Sequence, residues 1–304
     1  MLPGNYTTNV ALNGTTTVWI DGEGAMLTAM SPSIGIEITD GAKVRITGLK
    51  LVDLNMDATG NVSTIQCQSS SGTPTLELDG VSVDTDVVAV FVQPCTLTAT
   101  RSSFHVRNSV AATISAYAGP NGQSTAVFDR CIFDGGDGVQ SIYGSTTVTV
   151  TNSLLQNMTG AHGAMLGGTL LNGSNGRLYA SFDTLVDAPL KCPTGIPACN
   201  GGTAAGVCID NSIVTAATGD AITGSACVVN YGLAFPQSGP VTGAHNMTNV
   251  DPRFVDPANE MYALSASSPA IDAADPTVTD TIDLAGTARP QGPRDDLGAY
   301  EYKP

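Results

Sequence analysis

Between Thr146 and Thr159 apolar and polar residues alternate. Val148 and Val150 sit between Thr147, Thr149 and Thr151, a polar step follows at Thr151 and Asn152, and then comes Leu154-Leu155. Period-two alternation is the signature of a strand with one buried face, and the polar step marks a bend. The phrase recurs about eight times. Its polar steps fall at Gly22, Gly48, Gly80, Arg101, Arg130, Asn152, Asp183 and Asn211, 21 to 32 residues apart. Apolar pairs precede them, such as Val44/Ile46, Leu76/Leu78 and Val207/Ile209. A large apolar residue follows three places later: Leu51, Val83, Phe104, Phe133, Leu155, Val186 and Val214.

Units of this size cannot bury an apolar face alone, but stacked copies can. Each strand then pairs in parallel with its equivalent one turn on, and loops of variable length bulge outward. The pattern predicts an all-β chain, a right-handed parallel β-helix of eight or nine turns over residues 1–235. A β-sandwich is the alternative. It would need two-residue hairpin turns, whereas ten or more residues separate the strand pairs here.

Near residue 230 the pattern fades into a Pro- and Gly-rich stretch around Pro236, Gly239, Pro240 and Gly243. Residues 236–304 read as a linker and a capping segment packed on the helix. Residues 251–304 are expected to cover the last turn, whose open edge would otherwise pair with other chains.

Composition agrees. Apolar residues make up 42% of the 304 and charged residues only 13%, with 34 glycines. That suits strands and turns. A formal net charge of −15 repels phosphate backbones and argues against nucleic acid. No apolar run is long enough to span a membrane, so insertion is not expected. The opening MLPGNYTTNV reads like the middle of a fold, which suggests further sequence upstream.

Seven cysteines are present. Cys192 and Cys199 flank a short Pro-rich loop. Cys67/Cys95 and Cys208/Cys227 lie about one repeat apart, leaving Cys131 at an inward position. Three bridges and a buried thiol imply an oxidising compartment. The close CxxC spacing of a zinc site is absent.

DPRFVDP, SPAIDAADP, DLAGTARP and DLGAYEY occur in that order near the end of the chain. This run resembles the C-terminal segment of bacterial secreted parallel β-helix proteins of the choice-of-anchor Q type, and LPGNYT is similar to their first turn. The resemblance implies export and an extracellular or cell-surface location. It transfers no catalytic residue.

Residues four places past each polar step should form an outward column: Val52, Asp84, His105, Asp134, Gln156, Asp187 and Thr215. Asp84, His105, Asp134, Gln156 and Asp187 are the candidate binding residues. Stacked carboxylates repel, and Ca²⁺ or a substrate cation would relieve this. Asp84, Asp134 and Asp137 are the candidate Ca²⁺ ligands. His105 and Arg107 are the candidate catalytic residues, as the base of a Ca²⁺-dependent polysaccharide lyase or glycoside hydrolase. The column equally suits a solvated edge or a non-catalytic surface for glycans. His162 and His245 lie in loops, and Asp272, Asp275, Asp283, Asp295 and Asp296 stand beside turn residues. Unequal repeat lengths argue against a regular threonine array of the kind that binds ice. The sequence favours a monomeric glycan-binding or structural module over an enzyme.

Overall fold

The computed structural model describes residues 3–30, 34–54, 63–118, 122–143, 145–158, 160–161, 163–167, 176–192, 206–225 and 227–304. Each turn of the chain crosses three sheets. Thr17–Asp21 leads to Met26–Thr28 and then to Ile36–Ile38, and Lys43–Thr47 returns to pair with Thr17–Asp21. Among the described residues the sheet containing Met26–Thr28 (sheet 1) has 11 strands. That containing Ile36–Ile38 (sheet 2) has 7, and that containing Thr17–Asp21 (sheet 3) has 9. Neighbouring strands are parallel and one turn apart in sequence. The protein is an all-β parallel β-helix.

The alternation sorts side chains between a dry interior and the outside. In sheet 3, Val44, Leu76, Leu97, Ala126, Val148 and Leu178 stack inward in register. Phe104, Phe128 and Phe133 fill the middle turns, with ring centroids 5.3 to 5.9 Å apart. Loop length varies without disturbing this register. Thr75, Thr96, Thr125 and Thr147 therefore stand in one outward column, so unequal repeats do not prevent a regular array. Glu77 and Val127 interrupt the adjacent column instead.

The polar steps are the corners between sheets 3 and 1. Gly48, Gly80, Arg101, Arg130, Asn152 and Asn211 have φ between 49° and 62°, the left-handed region. Glycine adopts it freely and Asn at small cost. The pattern misplaces one corner. Ser181 pairs with Asp210 and Thr184 with Ile213, so the equivalent of Asn211 is Phe182 (φ 57°), not Asp183. Phe182 is held there by packing, with the Arg289 guanidinium 4.9 Å from its ring centroid.

One residue past the corners at Gly80, Arg130, Asn152 and Phe182, the backbone N–H finds its partner in a side chain. The next turn supplies it. Ser102 Oγ accepts from Val81 N–H, Ser153 Oγ from Cys131, Asp183 Oδ1 from Ser153 and Ser212 Oγ from Asp183. This internal polar ladder meets the requirement that buried N–H groups be paired.

Residues 251–304 lie along the outer face of sheet 1 rather than over the end of the coil. Leu264, Ala270, Ala274 and Leu297 pack on Phe182, Ile213 and Leu233, and Tyr262 packs on Leu154 and Val186. Gly298 N–H donates to Asn211 O, and Ala299 N–H to Thr184 Oγ1. The final turn is covered by the preceding stretch: Val229 N–H donates to Thr242 O and Tyr231 N–H to Ala244 O. Arg289 ties the segment together from inside. It donates to Glu301 Oε2, Asp296 O and Gly298 O.

The cysteine pairing is partly as expected. Cys67 and Cys95 are bridged, and Cys131 is free and buried, its thiol pushed up to about 12 by burial. Cys192, however, pairs with Cys227. Neither the Cys192–Cys199 nor the Cys208–Cys227 pairing occurs. Cys227 is in register with Val207, so Cys208 points to the opposite side of the sheet. Cys208 is disulfide-bonded, with its partner outside the described residues.

Candidate functional site

The outward column of sheet 1 is formed by strand register. Val52 pairs with Asp84, Asp84 with His105, His105 with Asp134 and Asp134 with Gln156. Neighbouring strands lie about 4.8 Å apart, so these groups stand within reach of one another. Gln156 pairs next with Val186, and Asp187 is therefore not in the column. The misplaced corner at Phe182 shifts that turn by one residue. Asp187 occupies the bend beyond, with φ 49°.

The column is divided by the C-terminal segment. Gln156 and Val186 are buried beneath it, whereas the His105 side chain is 44% exposed. The open part is a network of alternating charge. Arg107 lies two residues past His105 and reaches back one turn to Asp84, with Asp86 at 3.5 Å. His105 reaches forward, its Nδ1 3.0 Å from Asp134 Oδ2. The other Asp134 oxygen accepts from Asn157 Nδ2 at 2.8 Å. Each carboxylate thus meets a donor from the chain itself, which offsets the repulsion a stacked acidic column would carry.

Asp84, Asp134 and Asp137 do not converge. Asp137 is buried at a corner, where Gln140 Nε2 donates to its carbonyl and its carboxylate. Among the described residues no group of three His, Cys, Asp or Glu is gathered as a metal site would require. The C-terminal aspartates serve as turn acceptors. Asp283 accepts from Thr287 and Glu301 N–H, Asp296 from Asp272 and Tyr302, and Asp275 from Thr277. His245 stacks on Tyr231 at 4.6 Å, and His162 lies outside the described residues.

The sequence did not reveal Asp86, Asn157 or Tyr262. Tyr262 comes from the C-terminal segment, and burial raises its pKa, helped by Glu260, Asp187 and Asp134. Asn157 and Asp86 could have been found by extending the column reading to the bends that end each strand. Tyr262 carried no such signal, because its place follows from docking.

No family model and no curated protein matches the chain. Among solved structures it is similar to the PL6 family alginate lyase AlyGC in a mutant form. The two are 12% identical with a TM-score of 0.29 over 87% of this chain. The chain spans about half, 52%, of that lyase chain.

What the open network offers chemically is limited and specific. Arg107 is committed to two carboxylates, and a guanidinium cannot act as a base near neutral pH. With Nδ1 engaged by Asp134, His105 retains Nε2 for a ligand. Flanking carboxylates, an amide and a guanidinium can exchange hydrogen bonds with the hydroxyl groups of a sugar.

Proposed function

We propose that the protein is an exported bacterial β-helix protein of the choice-of-anchor Q type. In this reading it resides at the cell surface or outside the cell and acts as a monomeric glycan-binding module. The observation that carries the binding reading is the pre-ordered network of Asp84, His105, Arg107 and Asp134 on an uncovered sheet face. Rigid strands hold its polar groups in place, so little ordering entropy is spent on binding. The closed disulfides fit an oxidising compartment. A glycan array probed with the wild type, His105→Ala and Asp134→Asn tests it. We expect at least one glycan to bind, weakened about tenfold in either variant, the scale of one or two lost hydrogen bonds. An array without hits, for protein shown to be folded by circular dichroism, removes the glycan reading.

The His105–Asp134 contact favours a second reading. A carboxylate on Nδ1 orients an imidazole for proton abstraction through Nε2. In that reading the face belongs to a polysaccharide lyase or hydrolase with His105 as base. Ultraviolet absorbance of unsaturated product from uronate polymers, absent in His105→Ala, would establish it.

A further inference from the structure

On the far side of the coil from the C-terminal segment, a polar groove runs along the corner between sheets 2 and 3. Its largest part encloses about 710 Å³. Ser69, Ser70, Gln93, Thr96, Gln123 and Thr125 contribute to the lining, and among the described residues no charged one does. It continues toward the N-terminal end past Gln68, and toward the C-terminal end past Thr147. Among the described residues, Asp40 and Arg177 line its two ends. In a chain of formal charge −15, a long neutral groove of hydroxyl and amide groups is a distinct chemical surface.

Two further observations mark it as a site. Phe91 and Tyr117 stack with ring centroids 6.4 Å apart. Phe91 lies two residues before Gln93 on the outward side of its strand, and Tyr117 follows Ala116, the partner of Val92. The pair therefore stands on the outer face of sheet 2 beside Gln93, which lines the groove, while neither ring is among the described lining residues. The Cys67–Cys95 disulfide ties the strand that ends in Gln68 to the segment that carries Gln93, Pro94 and Thr96. From inside the coil it holds these adjacent turns in fixed relation.

We propose that this groove is a second binding site, separate from the face of sheet 1, for an uncharged polysaccharide lying along the coil axis. Glutamine amides offer a donor and an acceptor side by side and match neighbouring sugar hydroxyls. The aromatic pair meets the C–H face of a sugar ring. An acidic polymer finds no cation among the described residues of the central lining, and the charge of the chain repels it.

The test is titration calorimetry on the full chain with uncharged hexasaccharides of glucose, mannose and xylose, and with a uronate hexasaccharide as control. Variants are Gln93→Ala, Gln123→Ala, Phe91→Ala and His105→Ala, each checked for wild-type circular dichroism. At least one uncharged hexasaccharide should bind the wild type and His105→Ala alike. That binding should weaken about tenfold or more in Gln93→Ala and Phe91→Ala. Binding unchanged in all three groove variants, or no binding of any uncharged hexasaccharide, overturns the assignment. Binding that vanishes in His105→Ala places the ligand on sheet 1. This too overturns the groove while leaving glycan binding intact.

Discussion

Asp183 shows how one residue can be placed by the fold against its own chemistry. It takes a position in the internal ladder that serine fills in the neighbouring turns at Ser153 and Ser212. One carboxyl oxygen accepts from Ser153 N–H, while the other is buried without a partner. Burial pushes the pKa well up. A group with a raised folded pKa contributes its stability below the unfolded value, about 3.9 for Asp, and loses it as pH rises toward the folded one. Asp183→Asn removes this dependence. Urea midpoints of the variant relative to the wild type should therefore climb from pH 4 to pH 7, and a constant difference would show that Asp183 does not titrate this way. The sequence marked Asp183 only as a polar step. It could not show that Phe182 takes the corner, because an aromatic in the left-handed region is held there by Arg289 and the rest of the segment.

At the level of strands and segments, outward columns are arranged so that like charges do not adjoin. In sheet 3, Asp21, Thr47, Asp79, Thr100, Asp129 and Thr151 follow one another turn by turn. Thr47 donates to Asp21 and Thr100 to Asp79, at 3.1 Å. Directly opposed like charges would be destabilising. This interleaving was legible in the sequence once the register was known, and so was the column through Asp84, His105 and Asp134. The C-terminal segment follows different rules. With little regular secondary structure, it depends on Arg289 and Glu301, whose side chains are almost wholly buried and 3.1 Å apart. Arg289→Met takes the guanidinium donor from two carbonyls and from Glu301, which keeps only the N–H groups of Gln291 and Asp296, and removal of one partner of such a pair costs about 3–5 kcal/mol. Denaturant unfolding of this variant should show a lowered midpoint or a separate early transition. A curve superimposing on the wild type would mean that the segment is held by apolar contact alone.

Across the whole molecule, the coil is apolar in two places, its interior and the C-terminal half of the outer face of sheet 1. Ile132, Leu154, Thr184, Ile213 and Leu233 form one outward column there. The segment 251–304 covers its later members. Deleting that segment uncovers Leu154, Ile213 and Leu233 together, a patch of the kind that drives association. A chain ending at residue 250 should aggregate in light scattering, and a stable soluble monomer would show that the cover is dispensable. The sequence by itself determined the coil. Strand period, corner residues and inward stacking are local properties, repeated until only one stacking satisfies them. Tertiary structure alone decided which part of the polar column stays open, how Cys192 and Cys227 pair, and where the neutral groove lies. Each of these depends on which loops and segments come to rest against one another, and pairing over such distances leaves no period in the chain to read.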